Sequence, residues 1–373
     1  MSGQVWAHVG QPFGGSSSSP AHYDLLIVGA GRMGAALARF LREEAPHLSL
    51  LLAEEGGLPN EEGATLLAPG VWHARVPPEQ GARAEETRTL LEGRLNACGL
   101  LELRPDSAGG FRPITDLWTP EVEGLIDPAE LPFARLDRRA ATYSAGSLAL
   151  DCAQAASRAG ADLMLNVRAE LCGSGETGMA QVRLHRLSVT NLHEIVVAQT
   201  VQVTAGRLVV AAGALGPHLA EVGLGAVTKH NMAYRQTPRL EVPSTPTSPL
   251  LQSGGLLLRP RDGGYTVVPP IPHPDPWGYV PTGGRLVGVP TGLRRETLAA
   301  LLEVMDGLPA LATGALVLGR SLADIPGCWV ALPQGGWPLY ERLDERHWLL
   351  LGGEHADLTG LAVARELARE LAE

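Results

Sequence analysis

The stretch LLIVGAGRMGAALARFL, from Leu25 to Leu41, decides the fold of this chain. Its first four residues are apolar, as in a parallel strand that is buried on both faces. Gly29, Gly31 and Gly34 follow at the GxGxxG spacing, which lets a strand turn into a helix beneath a pyrophosphate. The helix has one apolar face, formed by Met33, Leu37, Phe40 and Leu41. The stretch therefore predicts the start of a dinucleotide-binding fold.

A second apolar run, LSLLLAEE, ends the dinucleotide signature with an acidic residue. Its Glu54 lies about 20 residues beyond Gly34, where the signature has the acid that binds the ribose hydroxyls. Glu55 is adjacent and points to the opposite face of an extended strand, so we interpret it as a solvated neighbour. An acid at this place disfavours a 2′-phosphate ligand. These residues predict an ADP moiety and leave the choice between a nicotinamide and a flavin open.

Composition narrows the class of protein. The chain has 373 residues, enough for two domains, with 45% hydrophobic and 19% charged residues and a formal charge of -10. No apolar run is long enough to span a membrane. The sequence also has no long basic run of the kind that would predict nucleic-acid binding. We therefore expect a cytoplasmic protein with a small-molecule substrate, and a flexible lead-in over residues 1–22. The cysteines show no metal-ligand spacing and indicate a reducing compartment: Cys98, Cys152, Cys172 and Cys328.

Four segments, taken in order, carry a family resemblance. They are the GxGxxG stretch, EEGATLLAPGVWH at 61–73, TAGRLVVAAGALGPHLA at 204–220, and HWLLLGGEHADLTGLAVARELARELA at 347–372. A helix and strand at 143–165, with Ser147 as a candidate N-cap, fit between the second and third segments. Together they resemble the D-amino-acid oxidase, glycine oxidase and sarcosine oxidase family of flavoproteins.

The resemblance implies that the dinucleotide is FAD. Val167 would contact the adenine through its backbone, and Cys328 lies where the sarcosine oxidase branch has a cysteine bonded to the flavin. A free cysteine is most often a small buried hydrophobe, so we expect non-covalent FAD. The candidate cofactor-binding residues are Gly29, Ala30, Gly31, Arg32, Met33, Gly34, Glu54, Glu55, Ala64, Thr65, Gly70, Val167, Ala212, Gly213, Cys328, Gly353, Thr359 and Gly360.

The resemblance also implies an α/β architecture with two domains. A Rossmann-like FAD-binding domain on a parallel sheet would comprise 23–75, 141–225 and 326–373. A mostly antiparallel α+β substrate domain would comprise 76–140 and 226–325. In the latter, GGLLLRPRDGGYTVVPPIP at 254–272 predicts a hairpin. RETLAALLEVMDGL predicts an amphipathic helix with its apolar face at Leu298, Leu301, Leu302 and Met305.

The family's chemistry implies a hydride transfer from an amine-bearing carbon to flavin N5, with reoxidation by O2 or another acceptor. The expected substrate is an amino acid or an N-methyl amino acid. Oxidation of a 2-hydroxy acid and a quinone-linked dehydrogenase are alternatives, and a catalytically impaired flavin-binding protein is an alternative of a different class.

The expected substrate anchor is missing. In the glycine oxidase branch an arginine follows a WAG sequence and holds the substrate carboxylate, whereas Val330 occupies that place here. Arg235, Arg259 and Arg261 are candidate replacements. Tyr279 is a further candidate hydroxyl. The candidate catalytic residues are Arg259, Tyr265, His73 and His355.

Overall fold

The computed structural model describes residues 2–7, 13, 21–61, 63–174, 178–271, 293–313, 315–317 and 325–373. Its strands are β1 Val5–Trp6, β2 Ala21–Val28, β3 Leu50–Ala53, β4 Val71–Trp72, β5 Asn96–Ala97, β6 Leu100–Arg104, β7 Arg112–Pro113, β8 Phe133–Asp137, β9 Ala141–Thr142, β10 Asp162–Met164, β11 Val167–Ser174, β12 Ala180–Val189, β13 Ile195–Val210, β14 His230–Gln236, β15 Arg239–Leu240, β16 Leu250–Ser253, β17 Leu256–Arg261, β18 Gly264–Val268, β19 Leu316–Val317, β20 Gly327–Pro333, β21 Leu339–Arg342 and β22 His347–Leu351. Its α-helices are α1 Arg32–Glu44, α2 Gly81–Leu90, α3 Ala145–Arg158, α4 Gly216–Leu224, α5 Arg295–Val304 and α6 Ala356–Ala372.

The larger sheet contains the predicted parallel strands. The parallel pairings join β1, β10, β3, β2, β13 and β22, in that order across the sheet. β2 is central, with its Leu25–Val28 half aligned with Leu50–Ala53 on one side and with Arg207–Val210 on the other. β11, β12 and β21 extend the sheet through antiparallel pairings. The carboxyl ends of β2, β3 and β13 therefore meet at one edge, where a doubly wound sheet binds its ligand.

Helices cover one face of this sheet. α1 packs between α3 and α6, and its predicted apolar residues are all buried in the same core as Cys152 and Leu367. The other face is covered by apolar side chains of the β11–β12 ribbon, including Val182 and Leu184. Burial on both faces explains why the Leu25–Val28 half of β2 and all of β3 are continuous apolar runs.

The second sheet has the order β19-β15-β18-β17-β16-β6-β8-β7 among the described residues. All its pairings are antiparallel except that of β16 with β6. The predicted hairpin is confirmed as β17 and β18, and Gly263 at its turn has φ of +69°. α5 confirms the predicted helix, but its apolar face differs: Leu301 is buried, whereas Leu298 is 43% and Leu302 57% exposed. Thr297 and Val304 take the inward positions instead.

The prediction of a flexible lead-in over 1–22 is wrong where the structure describes that segment. Val5 and Trp6 pair in parallel with Leu163 and Met164 at the edge of the large sheet. Trp6 is buried, and its ring contacts that of Phe13 with the centroids 4.8 Å apart. An aromatic side chain with an apolar sheet edge beside it gains enough by burial to hold the chain there.

Candidate active site

The turn after β2 has the geometry that its glycines predict. Gly29 has φ of +103°, and a Cβ there would lie 2.5 Å from the carbonyl oxygen of Ala211. A Cβ on Gly34 would lie 1.9 Å from the Gly29 oxygen, and one on Gly31 would lie 3.1 Å from Thr65 Oγ1. α1 begins at this turn with no side-chain cap and no acid in its first turn. A helix N-terminus of this kind fits a phosphate.

Glu54 lies at the end of β3 with its carboxylate buried against this turn. Its Oε2 accepts the Ala30 N–H at 2.6 Å, and its Oε1 accepts Asn60 Nδ2 at 2.7 Å and the Gly56 N–H at 3.2 Å. The Val167 N–H donates to the Glu54 carbonyl at 2.9 Å. The structure thus brings both predicted nucleoside-binding residues to the same end of the glycine turn.

Glu55 has a different partner. It forms an ion pair with Arg168, with 2.8 Å between Oε1 and Nη2, and both side chains are partly exposed. The prediction of a merely solvated neighbour is wrong in this respect, because β11 brings a guanidinium beside it. The arrangement favours a structural role for Glu55.

A buried ion pair lies at the first turn of α1. Arg32 Nη1 donates to Asp357 Oδ1, and the same oxygen accepts the Tyr143 hydroxyl at 3.0 Å. Asp357 Oδ2 accepts the Gly70 N–H at 3.0 Å. Burial opposes the charge of Arg32, but Asp357 outweighs it and the pKa of Arg32 is raised. Burial, reinforced by Asp357, raises the pKa of Tyr143 well above its usual value. One carboxylate therefore joins four segments of the chain.

Sequence reasoning missed Asp357 and Tyr143. Asp357 lies in the first turn of α6, where an acid is favourable at any helix N-terminus. That signal indicates a helix start and does not identify a partner 325 residues away.

The loop 63–70, which lies between β3 and β4 in the sequence, contacts the starts of both α1 and α6. The Thr65 hydroxyl accepts the Arg32 N–H at 3.1 Å, and Ala64 lies in the turn before it. Gly70 has φ of +58°, and a Cβ there would lie 2.2 Å from the Tyr143 carbonyl oxygen. The Tyr143 N–H in turn donates to the Gly70 carbonyl at 2.8 Å. These small residues keep the loop against the glycine turn.

The segment 204–220 passes on the other side of the glycine turn that follows β2. The Ala211 N–H donates to the Val28 carbonyl at 2.7 Å. A Cβ on Gly29 would lie 2.9 Å from the Ala212 Cα, so the backbone of this segment can pass this close because residue 29 is glycine. Gly213 has φ of +55° and has open space where a side chain would begin.

The C-terminal loop is held by a neighbouring loop. The N–H groups of Glu354 and His355 both donate to the Gly336 carbonyl, at 2.9 and 3.1 Å. Gly353 has φ of +62°, and a Cβ there would lie 2.4 Å from the same oxygen. The Trp337 ring packs on the His355 ring with the centroids 4.2 Å apart.

The first turns of α6 face α1. A Cβ on Gly360 would lie 2.9 Å from Met33 Sδ, so the two predicted residues contact each other. Thr359 is fully buried, and its hydroxyl has no partner among the described residues. A buried hydroxyl of this kind fits a polar cofactor atom.

Cys328 and Val330 lie on β20, which pairs with β14 as a two-stranded sheet. Arg235 is opposite Cys328, and Ala233 is opposite Val330. Burial raises the pKa of the Cys328 thiol, although the guanidiniums of Arg235 and Arg32 act in the opposite direction.

Of the three candidate arginines, Arg235 contacts the loop 63–70 and Arg259 contacts its neighbour Tyr143. Arg235 is only 5% exposed, and its Nη2 lies 3.5 Å from the Leu67 carbonyl oxygen. Arg259 Nη2 donates to the Tyr143 carbonyl at 3.2 Å, and burial lowers the pKa of Arg259. Arg261 is at the turn end of β17, where its carbonyl accepts the Ser244 hydroxyl.

Tyr265 is fully buried in the core of the second sheet, where β15 places Leu240 opposite it. This position favours packing over substrate contact. The other candidate hydroxyl, Tyr279, lies outside the described residues.

His73 and His355 lie near each other beside the candidate cofactor loops. Burial lowers the pKa of His73 to about 4, and the charges of Arg75 and His355 act in the same direction against Asp137. Burial also lowers the pKa of His355. His73 Nδ1 is buried without a hydrogen-bond partner among the described residues. Both imidazoles are therefore neutral near pH 7.

Two features are absent from the ranges that the structure describes, a metal-binding cluster and a membrane-spanning helix. There, no group of three or more His, Cys, Asp or Glu side chains could hold a metal ion. In the same ranges, each helix is too short or too polar to span a bilayer.

Comparisons with known proteins agree with this geometry. No curated protein matches the chain. Among solved structures, glycine oxidase from Geobacillus kaustophilus superposes with a TM-score of 0.67 at 18% identity, covering 94% of this chain and 95% of that chain. L-proline dehydrogenase from P. horikoshii gives 0.67 at 17%, covering 95% and 93%. L-amino acid deaminase from Proteus vulgaris gives 0.65 at 17%, covering 97% and 96%. The family profile described as FAD dependent oxidoreductase matches residues 24–370, so the chain belongs to this family of enzymes, whose cofactor is FAD.

Proposed function

We propose that this enzyme oxidises the amine-bearing carbon of an amino acid or an N-methyl amino acid. The observation that carries the proposal is Arg259. Its guanidinium is partly buried beside the Tyr143 carbonyl and is attracted by Asp357, but no carboxylate of the described residues forms an ion pair with it. A substrate carboxylate would supply the missing charge and accept two parallel hydrogen bonds. The names of the three solved structures, each an enzyme of amino acids, support the same substrate class.

The chain's residues have separate roles in this proposal. The glycine turn and Glu54 would hold the ADP moiety of FAD, and the hydroxyls of Thr65 and Thr359 and the backbone of Gly353 would hold the rest of the cofactor. Bound FAD would supply the two-electron acceptor for the hydride from the amine-bearing carbon, and the resulting imine would hydrolyse in water. Arg259 orients the substrate. A neutral His73 can accept a hydrogen bond from the amine without adding a positive charge.

We further propose the two-domain division predicted from the sequence. The FAD-binding domain comprises 23–75, 141–225 and 326–373, and the substrate domain comprises 76–140 and 226–325. In this division Arg259 of the substrate domain donates to the Tyr143 carbonyl of the cofactor domain, a contact that supports a reaction site between the two.

The test is anaerobic mixing of the purified holoprotein with amino acids, N-methyl amino acids and 2-hydroxy acids, followed by the flavin absorbance. We expect bleaching by an amine substrate. Arg259→Met should weaken its apparent binding roughly 10- to 100-fold, the value of a hydrogen-bonded charge, whereas the exposed Arg239→Met should not. Bleaching by hydroxy acids alone would favour the 2-hydroxy-acid activity, and bleaching by no compound would favour a catalytically impaired flavin protein. Admitting O2 or a quinone to the reduced protein identifies the acceptor.

We propose that FAD is bound without a covalent link. Cys328 is buried, and burial keeps its thiol protonated, which disfavours the thiolate needed for attachment. Acid precipitation of the holoprotein should leave the yellow colour in the supernatant. A yellow pellet that becomes colourless in Cys328→Ser would contradict this prediction.

A further inference from the structure

The buried charges around the loop 63–70 do not balance within the described residues. Arg32, Arg235 and Arg259 approach this loop or its neighbour Tyr143, and one carboxylate, Asp357, lies among them. Asp357 pairs with Arg32. It lies close enough to attract Arg259, but Arg235 and Arg259 form no ion pair with it or with any other described acid.

Arg235 is the more deeply buried of the two. Its Nε is buried without a hydrogen-bond partner, and its Nη2 has a long contact of 3.5 Å with the Leu67 carbonyl oxygen. The side chain opposite it belongs to Cys328, whose thiol is neutral. The described groups beside the Arg235 guanidinium are therefore an uncharged carbonyl and an uncharged thiol, and neither of them neutralises its positive charge.

Strand register explains how Arg235 can take the role of the arginine that the resemblance implies at position 330. Ala233 pairs with Val330, and Arg235 pairs with Cys328, in an antiparallel ladder. Side chains at opposed positions and at every second position share one face of such a sheet. The side chain of Arg235 is therefore on the same face of the sheet as Val330. It lies on the neighbouring strand, two residues along from the position that pairs with Val330.

Arg259 approaches the same loop from another sheet. It lies on β17 of the eight-stranded sheet, and its Nε is also buried without a partner among the described residues. Its contact, Tyr143, is hydrogen bonded to Gly70 at the end of the loop that contains Leu67. Two guanidiniums from different strands thus contact adjoining segments, Arg235 at Leu67 and Arg259 at Tyr143, and these segments are hydrogen bonded to each other through Gly70.

A guanidinium without a counterion is unfavourable in proportion to its burial, and Arg235 is 5% exposed while Arg259 is partly buried, so an anion beside each would relieve that cost. The pyrophosphate is expected at the N-terminus of α1, beside Arg32, and not at β14 or β17. We infer that the substrate is an amine carrying two carboxylates, one bound by Arg259 and the other by Arg235. This inference rests on the proposed amine oxidation and narrows its substrate class.

The binding test uses redox-inert probes at constant ionic strength. Glutarate, a dicarboxylate, and butyrate, a monocarboxylate, are titrated into the holoprotein, and the flavin spectrum reports binding. Glutarate should bind at least tenfold more tightly than butyrate. Arg235→Met should reduce that preference to about twofold, Arg235→Lys should retain part of it, and the exposed Arg239→Met should leave it unchanged.

Three results would overturn the inference. Glutarate binding no tighter than butyrate to the unmodified holoprotein does so without any variant. A tenfold loss of FAD affinity in Arg235→Met, with the glutarate preference intact, would assign the guanidinium to the cofactor phosphates. If iminodiacetate and glutamate reduce the flavin no faster than sarcosine and alanine, the dicarboxylate inference fails while amine oxidation stands. If no amine reduces the flavin, the proposed function itself fails.

Discussion

Asp357 shows how much one side chain can contribute at the residue scale. It neutralises Arg32, accepts hydrogen bonds from Gly70 and Tyr143, and begins α6. Removing its charge leaves a buried guanidinium without its anion, which costs more than the ion pair contributes.

We predict that Asp357→Asn lowers the free energy of unfolding by roughly 3 to 5 kcal/mol, the usual effect of breaking a buried pair. Urea denaturation measures the change. The matched control is Asp151→Asn, because the Asp151–Arg94 pair is well exposed and contributes within about 1 kcal/mol. Equal effects of the two substitutions would contradict the central role of Asp357.

His73 predicts a dependence of stability on pH. Its pKa is about 4 in the folded protein, against 6.5 for an unperturbed histidine. Between these values the unfolded chain binds the proton and the folded chain does not, so stability falls as the pH falls. Above pH 6.5 the effect is absent, and below pH 4 it is complete.

From pH 7 to pH 5, this histidine should contribute a loss of about 2 kcal/mol. His73→Gln should remove that part of the slope, and the exposed His47→Gln should retain it. Urea midpoints at pH 7, 6 and 5 provide the comparison. A slope that His73→Gln leaves unaltered would place the imidazole in contact with solvent.

At the scale of elements, hydrophobic period predicts which segments are helices and strands better than which side chains they bury. The β17–β18 hairpin and α5 form where expected, but α5 leaves Leu298 and Leu302 exposed. α3 begins with Ser144 as its cap, accepting the Ser147 N–H at 3.2 Å, so the predicted cap is three residues too late. Several faces of a short helix satisfy the same pattern, and the neighbouring sheet selects one.

The two residues of β1 should contribute very differently to stability, because Trp6 is buried and Val5 is exposed. Trp6→Ala should cost about 3 kcal/mol or more, since a buried aromatic leaves a large cavity. Val5→Ala should cost less than about 0.5 kcal/mol, because Val5 is 46% exposed on the same strand. Thermal or urea unfolding of both variants checks this. If both substitutions lowered the free energy of unfolding by the same small amount, the result would support the flexible lead-in that the sequence predicts.

At the scale of the whole molecule, the candidate FAD site is assembled from distant parts of the chain. The glycine turn, the loop 63–70, the strand end at Ala211 and the first turns of α6 converge around the start of α1. The unfolded chain holds none of these in place, so FAD should bind the folded state alone.

FAD should therefore stabilise the protein by mass action. At a free FAD concentration 100 times its dissociation constant, the gain is about 2.7 kcal/mol. Apoprotein titrated with FAD should show a rising urea midpoint, and ADP should give a smaller rise through the glycine turn and Glu54. A midpoint independent of FAD concentration would mean that the observed arrangement is not the binding site.

The dinucleotide turn, the parallel strands and the acid at Glu54 follow from the sequence alone, because each depends on residues close together in the chain. The family also follows from it, because four local motifs occur in a characteristic order. The sequence also showed that Val330 could not anchor a substrate. The partner of Arg32, the strand formed by Val5 and Trp6, and the contacts of Arg235 with Leu67 and of Arg259 with Tyr143 are known only from the tertiary structure. Those contacts join residues up to 325 positions apart, and no local pattern specifies which buried charges will meet.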